Sequence, residues 1–497
     1  MDILDLLLQG FRIGLEPGNL FSCFVGVFLG TLTGVLPGLG PTAAVSLLLP
    51  VTFGMSPVSA IIMLAGIYYG TMYGGSTTSI LVNIPGETAS VVTCLDGYQM
   101  GLNGRAGPAL GIAAFGSFIA GTLGLVGLML LAQPLAQFAL QFGPAEYFCI
   151  ICTGLILLSF ISRGPMVKSL IIASLGIILS CVGIDIITSK TRMTFDLLEL
   201  ADGVGLVPLV MGLFGISEVL INLEREIKEE GALLHLKVKD LFPTREDWRR
   251  SKGPIVRGSV LGFFLGILPG IGTVTSSFFA YAVEKKLSKH PERFGQGMIE
   301  GVAAPESANN AATAGAFIPL FTLGIPVNPV MALLFGALLI HGIQPGPLLM
   351  QKHPEMFWGP VSSMYIGNVM LLVLNLPLIP LWVQILKVPK RVLLPLILLF
   401  CIIGAFSLNN SIIEVLIMAL FGMIGYVLRK AGYDMAPFVL GFVLGPTLET
   451  NFRQSLLISG GDFSIFLSSS ICIVSILIFI FVLLIASVPK FRFAKDA

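Results

Sequence analysis

Two stretches of this chain place prolines, glycines and small polar side chains inside otherwise apolar sequence. "GVLPGLG" occupies residues 34 to 40 and "GILPGIG" residues 266 to 272. Proline ends a helix, and glycine reaches backbone conformations that other residues resist, so each stretch should free main-chain N–H and C=O groups and let a solute approach them. Close by lie "GGSTTS" (74 to 79) and "ESANNAAT" (306 to 313), whose hydroxyls and amides can replace an ion's hydration shell or hold a carboxylate. The candidate solute ligands are therefore Gly38, Gly40, Gly75, Ser76, Thr77, Gly270, Gly272, Thr273, Ser307 and Asn309. Candidate cation ligands are Thr77, Asn83, Ser307, Asn309 and Asn310. Two structural readings compete. Ser and Thr in such clusters also tie helices together, and the flanking Gly26-xxx-Gly30-xxx-Gly34 and Gly258-xxx-Gly262-xxx-Gly266 suit close helix packing.

Charge arithmetic narrows the chemistry. No arginine lies in either polar cluster. A helix N-terminus supplies about +0.5 charge, so two of them neutralise only about one negative charge. A dianion moved inward against an inside-negative potential of about 100 mV costs roughly 4.6 kcal/mol. Two co-transported cations cancel that cost, and a third makes the potential help.

The elements that must position these groups are membrane helices. Of 497 residues 55% are hydrophobic and only 11% charged, more apolar surface than a soluble core can hide. Apolar runs of about 18 residues or more, enough to cross a bilayer as helix, recur along nearly the whole chain. The expected class is an all-α polytopic membrane protein with about 10 to 12 crossings. Five crossings are expected near 57–73, 106–132, 145–162, 166–187 and 203–222. Six more follow near 301–322, 357–385, 391–408, 411–428, 433–447 and 463–486. The start, "MDILDLLLQGFRIGL", lacks a basic leader pattern and reads as a short interfacial helix. Cys149 and Cys152 share a helix face, and with no nearby histidine they read as packing residues. A membrane hydrolase would want a serine with a base or a histidine-rich metal set. The four histidines (235, 290, 341, 353) are loop-bound or isolated, so the chain reads as no enzyme. A channel built on re-entrant glycine-rich loops is the alternative to a coupled transporter. The charged residues expected to approach the membrane interior are Glu87, Asp96, Arg105, Glu146, Asp185 and Glu306.

Internal repetition orders these parts. Residues 26–40 and 258–272 share eight of fifteen residues, each pair 232 positions apart. A looser match joins "YGTMYGGSTTSILVNIPG" (69–86) to "EGVAAPESANNAATAGAFIPLFTLGIP" (300–326), aligning the polar clusters across a gap. Basic residues crowd 223–253 and 284–293, which the positive-inside rule puts in the cytoplasm. Residues 254–283 then start and end on one side, as a re-entrant hairpin tipped by Pro269-Gly270. The first copy lacks such flanks and should dip from outside. The expected organisation is two inverted repeats, 1–222 and 254–497, each with a broken hairpin, joined by a charged cytoplasmic loop, 223–253.

Longer motifs then carry a resemblance. "GVLPGLGPTAAVSLLLPVTF", "YGGSTTSILVNIPGE", "DGYQM", "GRAGPALGIAAFGSF", "FGPAEYF" and the run from "LPGIGTVTSSFFAYAVEKKL" through "APESANNAATAGAFIPLFTLGIP" occur in order over nearly the whole chain. The chain resembles the large membrane subunit of the tripartite tricarboxylate transporters (TctA-like). The resemblance implies a multi-pass permease of the bacterial inner membrane. It would import citrate-like di- or tricarboxylates or related organic anions with sodium. Its implied partners are a small membrane subunit (TctB-like) and a periplasmic solute-binding protein (TctC-like), with no other cofactor.

Overall fold

The computed structural model describes residues 3–36, 39–162, 165–185, 187–224, 241–270, 272–385 and 390–487. Helices dominate it. In the first half they are α1 (Ile3–Gly14), α2 (Pro17–Val35), α3 (Gly40–Leu48), α4 (Pro57–Val82), α5 (Ala106–Ala139), α6 (Pro144–Ile161), α7 (Met166–Ser180) and α8 (Leu206–Glu224). The second half opens with α9 (Arg245–Ile267), α10 (Gly272–Leu287) and α11 (Glu300–Gly315, prolonged by Phe317–Leu323). It continues with α12 (Pro329–Ile340), α13 (Pro354–Asn375), α14 (Ile379–Ile385), α15 (Lys390–Asn409), α16 (Ile412–Lys430), α17 (Ala436–Ile458) and α18 (Ser470–Ser487). Among the described residues six helices, α2, α4, α5, α8, α13 and α16, are long and apolar enough to cross a membrane, and shorter apolar helices accompany them. The chain is an all-α polytopic membrane protein.

Glycine spacing explains how the two hairpins are seated. Gly26, Gly30 and Gly34 bring α2 onto the backbone of α4, where an added Cβ would lie 2.4, 2.6 and 2.3 Å from the carbonyl oxygens of Met63, Ile67 and Thr71. Gly258, Gly262 and Gly266 do the same for α9 on α11, at 2.5, 2.1 and 2.3 Å from those of Ala304, Ala308 and Ala312. Without a hydrophobic drive between helices in lipid, such backbone contact is what holds them. The register repeats without a gap along these helices. Met63 and Ala304, Ile67 and Ala308, and Thr71 and Ala312 are each 241 positions apart. So are Gly74 and Gly315, which face the carbonyls of Thr31 and Phe263. So are the left-handed caps Asn83 (φ 56°) and Gly324 (φ 67°), each followed by Ile-Pro.

This register corrects the looser alignment. It sets "GGSTTS" against residues 315–320, "GAFIPL", and "ESANNAAT" against residues 65–72, "AGIYYGTM". The polar clusters are thus not each other's counterparts. The gapped match failed because it aligned by polarity, whereas backbone contact sets the register.

Other boundaries also moved. Helix α7 ends at Ser180, short of the expected 187, and Gly183 (φ 118°) opens a two-stranded hairpin pairing 183–184 with 191–192. Helix α9 begins at Arg245, inside the stretch expected as loop, because Thr244 caps it and Asp247 closes a reciprocal capping box. Residues 225–240 of that stretch lie outside the described residues. Helix α12 had not been anticipated, since its 12 residues fall below the spanning length.

Helices α4 and α11 form the centre. Every residue from Ala60 to Leu81 and from Gly301 to Gly315 is buried. Polar groups on such helices never meet lipid, so they can be retained at the core of a membrane protein.

Candidate functional site

The structure brings the two polar clusters together. In α11 the spacing of Glu306, Asn309 and Asn310 puts them on one helix face. Ser76 Oγ donates to Glu306 Oε2 at 2.6 Å, and Thr93 Oγ1 donates to Glu306 Oε1. Asn309 Nδ2 donates to Glu87 Oε1 at 3.2 Å, and the Ala89 N–H donates to Glu87 Oε2 at 2.6 Å. Asn310 Nδ2 reaches Ser117 Oγ at 2.7 Å and the Glu306 carbonyl at 3.0 Å. Glu87 is 4% exposed and Glu306 1% exposed, and neither pairs with a basic side chain among the described residues.

Small residues create this meeting point. A Cβ on Gly75 would lie 2.7 Å from Glu87 Cγ. One on Gly86 would lie 1.9 Å from the Gly34 carbonyl and 2.7 Å from Gly75 Cα. The loop after α4 is therefore pressed between α2 and α4, which folds Glu87 back over Gly75, next to Ser76 and its partner Glu306.

Two small cavities of mixed lining lie close by, the first reached through Ser76. The first, between α4, α5 and α13, is lined by Tyr73, Ser76, Thr77, Ser117 and Asn375 with alanines of α5. The second adjoins it through Tyr73 and includes Tyr69, Asn310, Thr313 and Asn368. Tyr73 Oη donates to Asn368 Oδ1, whose amide in turn donates to the Phe118 carbonyl at 2.9 Å. Ser307 is fully buried, and its hydroxyl has no hydrogen-bond partner among the described residues.

The remaining expected site residues fall elsewhere. Gly40 (φ 59°) and Gly272 (φ 56°) open α3 and α10 at the two breaks, with no atom within 4 Å of an added Cβ. Thr273 follows in the first turn of α10. Gly270 (φ 85°) is instead sealed, its added Cβ meeting Leu158 Cα at 2.5 Å, and its N–H donates to the Val327 carbonyl at 3.0 Å. Gly38 lies outside the described residues. Asn83 is an exposed left-handed cap of α4, outside the buried cluster.

The charged residues divide cleanly. Asp96 is fully buried but satisfied by the N–H groups of Gly295, Gly297 and Met298 at 2.9, 2.8 and 2.7 Å and by Tyr281 Oη at 2.9 Å. Glu146 takes the Gly143 N–H at the start of α6. Arg105 pairs with Asp247. Burial alone would raise the Asp247 carboxyl, but hydrogen bonds from Thr244 and Arg105 bring it below its ordinary range. Asp185 is held well below that range by Thr188, the Ile187 N–H and Arg453. Glu87 and Glu306 are instead joined in one cluster of hydroxyls, an amide and main-chain N–H groups, with no basic partner among the described residues. Thr93, Ser117, Asn368 and Asn375 had not been anticipated; Ser117 and Asn375 are lone polar residues in apolar runs, a weak signal without the fold.

A helical bundle whose two innermost helices meet through buried carboxylates, amides and hydroxyls, beside two broken hairpins, defines a multi-pass membrane protein with a polar centre. The chain belongs to the tripartite tricarboxylate transporter TctA family, whose model matches residues 20–440. It is 48% identical over its whole length to an uncharacterized 52.8 kDa protein of the TAR-I ttuC′ 3′ region of Agrobacterium vitis, of which it covers 98%. A protein of the TAR-II ttuC′ 3′ region of the same organism is 49% identical over 47% of this chain and 97% of its own length. An uncharacterized protein of Methanocaldococcus jannaschii is 27% identical over 51% of this chain and 58% of its own. No solved structure matches the chain.

Proposed function

We propose that this chain is the permease subunit of a binding-protein-dependent secondary transporter that imports a di- or tricarboxylate, or a related organic anion, on a sodium gradient. It works in the bacterial inner membrane with a small membrane subunit and a periplasmic solute-binding protein, the assembly that membership of a tripartite family implies. The two halves are inverted repeats, and the shared register of α2 on α4 and α9 on α11 supports their common origin.

One observation carries the coupling. The polar centre contains two carboxylates and no basic side chain within the hydrogen-bonded cluster. An organic anion arriving beside it meets like charge, so cations must enter with it. The anion's ligands are the groups at the breaks, Gly40, Gly272 and Thr273, with Gly75, Ser76, Thr77, Ser307 and Asn309 facing the interior. Oxygens of Thr77, Ser307, Asn309 and Asn310 serve the cation.

The test is uptake of labelled citrate, other di- and tricarboxylates and aromatic acids into vesicles holding the permease and small subunit, with and without binding protein and inward sodium gradient. Saturable uptake that needs both supports the reading. Unsaturable flux indifferent to the gradient would instead mark a channel.

A further inference from the structure

We infer that Glu87 and Glu306 form the floor of a single binding site for a dehydrated monovalent cation, completed by Ser76, Thr93 and Asn309. The inference rests on the cation coupling proposed above and adds the two carboxylates, with the hydroxyls of Ser76 and Thr93, to the oxygens named there.

The argument is a count of donors and acceptors. Two carboxylates offer about eight acceptor positions between them. The cluster supplies five donors: the Ser76 and Thr93 hydroxyls, the Ala89 and Ser90 N–H groups and Asn309 Nδ2. A further acceptor adds to the surplus. Asn309 is 1% exposed and turns its Nδ2 to Glu87, yet its Oδ1 has no hydrogen-bond partner among the described residues. A buried acceptor left without a donor costs about 1–3 kcal/mol, and a buried charge without a counter-charge costs more. Both deficits are met by one positive centre among these oxygens.

Geometry keeps the oxygens together. Glu87 lies over Gly75 while Glu306 is held by the next residue, Ser76. Glu306 and Asn309 stand one turn apart on α11, and Asn309 reaches across to Glu87. Three segments, α4, the loop after it and α11, thus converge on the same few oxygens. Capture of an ion there would fasten the first half of the chain to the second.

The donor set selects the ion. All ligands are hard oxygens, which favour alkali and alkaline-earth ions over transition metals. Magnesium dehydrates reluctantly and keeps several waters, which suits poorly a cluster whose carboxylates are 1% and 4% exposed. Calcium takes six to eight oxygens, while five of the carboxylate positions here are already committed to protein donors. A monovalent ion that sheds its water fits best.

The experiment measures sodium binding to the purified full-length permease in nanodiscs, without organic anion, as radiolabelled sodium bound at equilibrium and as the thermal midpoint against sodium or choline chloride. The parent should bind sodium saturably and be stabilised by it. Glu306→Gln and Glu87→Gln should each weaken that affinity by at least about tenfold, the lower end of what loss of even an outer partner costs a metal site. Asn309→Leu should weaken it too. Midpoints in choline chloride report folding of each variant separately. Unchanged sodium affinity in both Gln variants, or stabilisation by calcium and not by sodium, would overturn this site. If those variants bind sodium normally while parent vesicles still show sodium-driven uptake, the site fails and the transport reading stands. If the parent neither binds sodium nor couples uptake to it, both fail.

Discussion

Gly262 and Gly272 are both glycines of the second hairpin, and the structure assigns them opposite duties. A Cβ on Gly262 would stand 2.1 Å from the Ala308 carbonyl. Gly262→Val should therefore lose folded protein, by overpacking that costs up to about 3 kcal/mol or more. Gly272 has open space around it and needs only its positive φ. Gly272→Ala should cost about 1 kcal/mol of backbone strain, leave abundance near that of the parent, and lower uptake. Comparable loss of folded protein in both variants, read by fluorescence-detected size exclusion, would return the break to a packing role. Gly270→Val is unsuited to this comparison because Leu158 occupies the space it needs. Ionic residues outside the helices give a second expectation at this scale. The Asp185 carboxyl sits below its ordinary range through Thr188, the Ile187 N–H and Arg453, so its contribution is present above about pH 4 and is lost as pH falls through its folded value. The thermal midpoint of Asp185→Asn should fall below the parent's at pH 7, and the difference should shrink in strong acid. A deficit independent of pH would mean that the hairpin depends on shape there and not on charge.

At the scale of elements, much was legible in the sequence because its signals were local. Pro-Gly-X-Gly announced both breaks, glycines four apart announced the α2 and α9 seams, and Asn83-Ile-Pro and Gly324-Ile-Pro marked two helix ends. What stayed hidden depended on contacts between distant segments. Glu87 and Glu306 were visible as charges, but their convergence requires the loop after α4 to fold back over Gly75, and nothing local to Thr93 or Ser117 reveals the partner it meets. The polar clusters looked like equivalents because composition matched, although their registers differ. The hairpin formed by α9 and α10 carries its own expectation. Glu246 at one end and Lys289 beyond the other are exposed, and the positive-inside rule puts both in the cytoplasm. Single cysteines at these positions in a cysteine-free background should react only with reagent supplied to the cytoplasmic face. Labelling of either from the periplasm would convert the hairpin into a full crossing.

Across the whole molecule, polarity is sorted inward to an extent that only a membrane protein shows. Val260, Phe264, Phe400, Leu477 and Phe481 are among many large apolar side chains that face outward, where lipid is their natural neighbour. The hydroxyls, amides and carboxylates of α4 and α11 lie at the centre. The proposed sites put solute and ion on the same helices, and such an arrangement requires linked affinities, each changing the other by the same factor. Asn310 joins the backbone of Glu306 to Ser117 on α5, and Asn310→Ala should raise both the sodium and the solute concentration needed for half-maximal uptake. The most direct measurement is uptake of a transported organic acid into proteoliposomes of the complete complex, titrated with solute at several fixed sodium concentrations. The apparent solute affinity of the parent should rise steadily with sodium, and the rise should be blunted in Asn310→Ala. A solute affinity independent of sodium in the parent would contradict a cation-coupled permease built around this cluster.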